Sequence, residues 1–176
     1  TYEVLGEIEH RSYRPVTHAD PDAIKQAVSL LERAERPIIY SGGGVINSGT
    51  RASKLLKKLA QETGFPVTNT LMGLGGYPGN DPQFVGMLGM HGTYEANMAM
   101  HDCDVMFAVG ARFDDRVTGR LSDFAPDATK IQLDIDRSSI NKNVFVDIPL
   151  IGDVGVVLEE LLSAWRAAKS LSLIHI

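Results

Sequence analysis

Five short apolar runs divide the chain: Pro37–Ser41 (PIIYS), Pro66–Thr70 (PVTNT), Asp104–Gly110 (DVMFAVG), Lys130–Asp136 (KIQLDID) and Val146–Gly152 (VDIPLIG). Each is too short for a helix, and several are too continuously apolar for a sheet with one wet face. They read as strands buried on both sides. Such strands need helices over both faces of a parallel sheet, and the residues between them supply helices. Asp20 is a good cap, Pro21 suits the first helical position, and Ile24, Ala27, Val28 and Leu31 recur at helical spacing. Ser48 is placed to cap a helix with the stripe Ala52, Leu55, Leu56, Leu59 and Ala60, closed by Gly64. Thr93 opens another helix through Ala99, and a last one is expected from about Asp153 to Ala168. Strand, helix and strand at these lengths make the first two strands parallel. The expected fold class is α/β, an open, doubly wound parallel sheet with helices on both faces.

A chain of 176 residues suits one compact domain. The net charge is -5, and the one lysine cluster, Lys54–Lys58, reads as the solvated face of a helix, so no nucleic-acid partner is expected. No apolar run reaches the ~20 residues that span a bilayer, and no signal-peptide pattern is seen; no membrane association and a cytoplasmic location are expected. The single cysteine, Cys103, stands just before an apolar strand and reads as a buried structural thiol in a reducing compartment. Histidines 10, 18, 91, 101 and 175 lack metal-ligand spacing, so no metal site is expected. Residues 1–19 read as a linker from a missing N-terminal domain and 20–168 as the domain. Residues 169–176 read as a non-native tail, because LSLIHI continues no helical period.

In an open parallel sheet, ligands bind beyond the carboxyl ends of the strands. The segments there are SGGGVINSG, TLMGLGG, GARFDDRVTG, DIDRSS and GDVG. Glycines give a flexible backbone that a phosphate can approach closely. The dinucleotide fingerprint fails in detail, however. Gly42 and Gly44 fit, but Asn47 stands where the third glycine belongs, and Thr68, Asn69 and Thr70 end the second strand where an acid is needed. A conventional nicotinamide site is therefore not expected. Asp134 and Asp136 are placed either to accept from ribose hydroxyls or to cap the next turn; both readings stay open. Arg112 and Arg116 bracket Asp114 and Asp115, as an ion-pair network or an anion site, and the glycine loops nearby favour the second. Val85–Met100, with four methionines and three glycines, reads as a soft loop entering a helix.

Taken together, YSGGGVINSG, TNTLMGLGGYPGND, GMLGMHGTYEANMAM, VGARFDDRVTG, LDIDRSSINKNV and VDIPLIGDV closely resemble the central domain of acetohydroxyacid (acetolactate) synthase catalytic subunits. The resemblance runs in order from about Ser12 to Leu162. It implies a Rossmann-like domain carrying FAD in an extended pose, with no net redox role for the flavin. The parent would hold thiamine diphosphate and Mg2+ in flanking N- and C-terminal domains, act as a homodimer or higher with a regulatory small subunit, and join two 2-keto acids (pyruvate, 2-ketobutyrate) with loss of carbon dioxide in branched-chain amino acid biosynthesis. By the same resemblance, Gly42, Gly43, Gly44, Thr70 and Leu71 would contact FAD. So would Gly89, Met90, His91, Gly92, Gly110, Ala111, Arg112 and Asp114, with Asp134 and Ile135 at the adenosine half and Gly152 and Asp153 closing the site. Arg116, Met90 and Asp115 would face the substrate channel, Arg116 helping to admit the second keto acid. The Gly-Asp-Gly…Asn thiamine motif is not in this sequence, GDVG at Gly152 being misplaced for it, so the chain alone is expected to be inactive. The competing readings are the middle domain of another thiamine-diphosphate decarboxylase or carboligase, and a non-catalytic nucleotide-binding domain.

Overall fold

The apolar runs pair into one parallel six-stranded sheet in the computed structural model, which describes residues 14–174. Its strands are β1 (Pro37–Ser41), β2 (Val67–Asn69), β3 (Phe84–Met87), β4 (Val105–Val109), β5 (Thr129–Asp134) and β6 (Ile148–Ile151), in the order β3-β2-β1-β4-β5-β6. The register places Ile39 between Val67 and Phe107, and Leu133 between Val109 and Leu150. Alternate residues therefore feed two cores. On one face Ile39, Phe107, Ile131 and Leu133 meet α1 (Pro21–Arg33), α3 (Thr50–Thr63) and α6 (Val154–Ile174) through Leu31, Leu56, Leu158 and Leu161. On the other, Ile38, Tyr40 and Met106 meet Met100 of α4 (Tyr94–His101) together with Phe113 and Phe124. Burying each such side chain contributes roughly 1.5–3 kcal/mol. The sheet is doubly wound, as its apolar runs require.

Local signals hold where they are strong. Asp20 caps α1 by accepting from the Asp22 N–H, and Ile24, Ala27, Val28 and Leu31 are its buried face. Gly64 ends α3 in the left-handed region, and the Thr93 hydroxyl caps α4. Cys103 is buried, its thiol donates to the Met100 carbonyl, and burial pushes its pKa up to about 12. Met100 is core, whereas Met98 is only half-buried.

Four expectations need correction. β3 is a strand inside the stretch read as loop; it is a half-buried edge strand broken by Gly86 at φ 101 and a register shift opposite Val67 and Thr68. The glycine run turns at once into a one-turn helix, α2 (Gly43–Asn47), so Ser48 ends α2 and Gly49 at φ 92 precedes α3. Asp115–Thr118 forms a short helix, α5, rather than loop. Finally, α6 runs on to Ile174 instead of stopping near Ala168, because no glycine or proline interrupts a run of good helix formers.

Before α1, Thr17 and Ala19 pack on the domain: the Thr17 carbonyl accepts from the Asp153 N–H at 2.9 Å, and Ala19 is buried. Residues 1–13 of the expected linker and 175–176 of the expected tail lie outside the described residues. Among the described residues, no helix is long and apolar enough to cross a membrane.

Candidate ligand-binding cleft

Strand order reverses between β1 and β4, whose chains leave toward opposite faces of the sheet. A crevice opens at such a point. Here it is a cleft of about 780 Å³, within the roughly 300–1,000 Å³ typical of small-molecule sites.

Bare backbone lines its floor. The Gly42 N–H donates to the Val109 carbonyl and the Gly44 N–H to the Gly110 carbonyl, both at 2.9 Å. A Cβ on Gly42 would stand 2.4 Å from the Gly110 oxygen, and one on Gly44 would stand 2.6 Å from the Gly110 Cα. Gly110 itself sits at φ 56 with its missing Cβ facing Gly44. The two turns touch because neither carries a side chain, which leaves a flat surface for a ligand.

Around the floor stand Thr70, Leu71, Ala111, Arg112, Asp114, Arg116, Asp134, Ile135 and Asp153. These, with Gly42, Gly43, Gly44 and Gly110, are the expected residues that the fold brings together. Gly89, Met90, His91, Gly92, Asp115 and Gly152 do not line the cleft. Gly152 packs inward, where a Cβ would meet the Thr17 carbonyl at 2.8 Å. The Gly89–Gly92 loop lies behind α5: the Met90 N–H donates to the Arg116 carbonyl at 3.2 Å, and the Met90 and His91 side chains are exposed. Tyr40, Ile46, Asn47, Ser48, Met72, Val117, Asp136, Ser139 and Val154 complete the lining and were not singled out as contacts by the resemblance. Adjacency would have found some of them, since Met72 follows Leu71 and Val154 follows Asp153.

The two ends of the cleft differ electrically. Asp153 caps α6, accepting from the Val156 N–H at 3.1 Å, and its carboxylate also receives the Ser48 hydroxyl at 2.9 Å. That hydroxyl in turn accepts from the Gly155 N–H at 3.0 Å, so α2, α6 and the cleft wall are tied together. Gly42, at the start of α2, offers no side-chain cap.

Of the acidic pair at the end of β5, Asp136 is a turn cap, accepting from the Ser138 N–H and hydroxyl at 2.9 and 2.7 Å. Asp134 uses one oxygen for the Asp136 N–H at 2.9 Å; the other has no partner among the described residues. Burial raises the Asp134 pKa above the ordinary value. A raised native pKa means stability falls as pH rises from the unfolded value through the folded one. Asp134→Asn keeps the acceptor for Asp136 and is expected to raise the ligand-free melting temperature at pH 7, with no gain at pH 3. An unchanged or lower midpoint at pH 7 contradicts this.

Arg112 and Arg116 form no ion pair with Asp114 or Asp115 among the described residues, so the alternative of an ion-pair network is not formed. The reason is local: the Asp114 carboxylate caps α5 through the Asp115 N–H at 2.9 Å. Both guanidiniums are exposed at the rim. No group of three or more potential ligands among the described residues would hold a metal.

The chain is similar in sequence to known proteins. The family model described as "Thiamine pyrophosphate enzyme, central domain" matches residues 24–161. An acetolactate synthase large subunit of Buchnera aphidicola is 49% identical over 93% of this chain, which covers 28% of that relative. The acetolactate synthase isozyme 3 large subunit of Escherichia coli is 48% identical over 88% of the chain and 27% of its own length. A probable acetolactate synthase large subunit of Methanocaldococcus jannaschii is 48% identical over 96% of the chain and 28% of its own length. The chain thus spans little more than a quarter of these relatives. A model match over most of the described sheet and its helices has one meaning: this chain belongs to the thiamine pyrophosphate enzyme central-domain family.

Proposed function

We propose that the cleft binds FAD and that the chain is the flavin-holding domain of an acetolactate synthase catalytic subunit. The carrying observation is the close approach of the Gly42–Gly44 and Gly110 turns at the β1–β4 reversal, which glycine at the contact permits and which leaves backbone along the cleft floor. The chemistry of the lining fits the group. The unpartnered oxygen of Asp134 is an acceptor for a ribose hydroxyl. A diphosphate would meet the Gly43 N–H, the first-turn donor of α2 left without a carbonyl partner among the described residues, and not the Asp153 end, where a carboxylate already satisfies the helix. Bound FAD would serve as a structural element rather than turning over as a redox centre. Thiamine diphosphate and Mg2+ would be held by domains flanking this one, and they supply the decarboxylation and carbon–carbon bond formation. A homodimeric parent with a regulatory small subunit, in the cytoplasm, completes this reading.

Within that enzyme, Arg116 is the residue of this chain assigned to the incoming 2-keto acid. It is a fixed cation with planar donors at the rim, unspent on either neighbouring acid, and so suited to a carboxylate. In the whole enzyme, Arg116→Lys is expected to keep FAD bound and decarboxylation of the first keto acid intact. Carboligation should lose on the order of 1–3 kcal/mol, the worth of a charge-assisted hydrogen bond. The preference between pyruvate and 2-ketobutyrate as acceptor should change as well. Unchanged product formation with both acceptors removes this role, and loss of FAD would make Arg116 a brace instead.

A further inference from the structure

Ala111, Arg112 and Phe113 leave β4 outside any strand pairing, yet their three consecutive carbonyls are each gripped by a side chain from elsewhere. Gln132 Nε2 on β5 donates to the Ala111 carbonyl at 3.2 Å, and the Tyr40 hydroxyl on β1 donates to the Arg112 carbonyl at 3.2 Å. Asn143 Nδ2, beyond β5, donates to the Phe113 carbonyl at 2.7 Å. We infer that Tyr40, Gln132 and Asn143 are positioning residues, a three-point clamp that sets the Arg112–Arg116 arm of the cleft before any ligand arrives. Its importance for FAD rests on the function proposed above; the clamp itself does not.

Other features of the molecule point the same way. On the solvent side of the arm, the Arg112 and Arg116 side chains are exposed and make no ion pair among the described residues. Order in the arm must therefore come from its inner, backbone side. There Phe113 is buried, with its ring 5.9 Å from both Tyr40 and Phe124. Gln132 is fully buried and its Oε1 has no partner among the described residues. Leucine would fill a similar space without leaving that oxygen desolvated, so stability alone does not account for a glutamine. Its grip on Ala111 does. Tyr40 is equally buried, and its hydroxyl is held well above its ordinary pKa by burial and then by the Asp114 carboxylate. It stays a neutral donor. An arm ordered in advance spares a ligand the entropy of ordering it.

Hydrogen exchange of the ligand-free chain, read by mass spectrometry over residues 112–118, tests the clamp. Tyr77→Phe is the control: Tyr77 is also a buried tyrosine with one hydroxyl bond, to Asp81 at 3.0 Å, and it does not line the cleft. Tyr40→Phe, Gln132→Leu and Asn143→Ala are each expected to speed exchange in the arm about 3- to 10-fold, the equivalent of one hydrogen bond. Tyr77→Phe should leave the arm at its wild-type rate. Asn143 is on the surface, so its variant remains informative if a core variant fails to fold. Wild-type exchange in the arm of folded variants overturns the clamp, as does equal loosening by Tyr77→Phe. A parallel FAD titration separates the two claims. Loosened exchange with several-fold weaker FAD binding supports both, whereas loosened exchange in a chain whose wild type ignores FAD overturns the flavin reading and leaves the clamp standing.

Discussion

Gly44→Ala is expected to destabilise the chain by about 1–3 kcal/mol or more, the penalty for forcing a methyl group into packed structure. The added Cβ would stand 2.6 Å from the Gly110 Cα, and backbone on both sides leaves it nowhere to go. Gly110→Ala should be at least as harmful, because it repeats the clash from the other turn and adds a side chain at φ 56. Separating the turns also destroys the cleft floor, so ligand binding should disappear along with stability. Gly79→Ala is the matched control, since its Cβ meets only the edge of Phe84 at 3.9 Å. Urea midpoints decide the matter. Equal midpoints for the Gly44 and Gly79 variants would mean that β1 and β4 do not close as described.

The second large effect belongs to Asp153→Ala. It removes the cap of α6 and strands the Ser48 hydroxyl in a partly buried site, so the two losses add. Together they are expected to cost about 2–4 kcal/mol, or roughly 5–15 °C of melting temperature for a chain of this size. Asp153→Asn should recover part of this, because an amide oxygen still accepts from the Val156 N–H. An alanine variant that melts with wild type would show that α6 does not depend on this corner.

Most of the sheet was legible because its central strands are continuous apolar runs, which have few alternative fates. β3 was not. Its four residues are half-buried, Gly86 breaks the pattern, and what holds it is tertiary: pairing with β2 and the Thr68 hydroxyl donating to the Gly86 carbonyl at 2.9 Å. The Gly42–Gly44 run resembles a loop, and its helical turn packs against the Gly110 turn that follows β4, a contact no local pattern reports. Ser48 looked like a cap for α3 because serine is a good one, but its hydroxyl is drawn to Asp153, over a hundred positions away in sequence.

The cleft followed from the rule that ligands lie beyond strand ends, and the glycine floor and the Arg112–Arg116 segment were both found that way. The two aspartates at the end of β5 were inseparable from sequence alone, since a turn cap and a ribose acceptor need the same side chain at the same place. Only the folded chain separates them: Asp136 is committed to its turn, and Asp134 has an oxygen to spare among the described residues. Resemblance put Met90 and His91 beside the ligand; within this chain they stand behind α5, outside the cleft lining.

The central claim is that the β1–β4 cleft takes FAD, and equilibrium titration of the purified chain with FAD, followed by flavin fluorescence, addresses it most directly. Saturable binding below ~100 µM is expected, a free energy stronger than roughly 5 kcal/mol. Asp134→Asn should weaken it and NADH should not compete. No saturable change up to that concentration from a folded wild-type chain, or saturation that Gly44→Ala leaves untouched, would contradict the account.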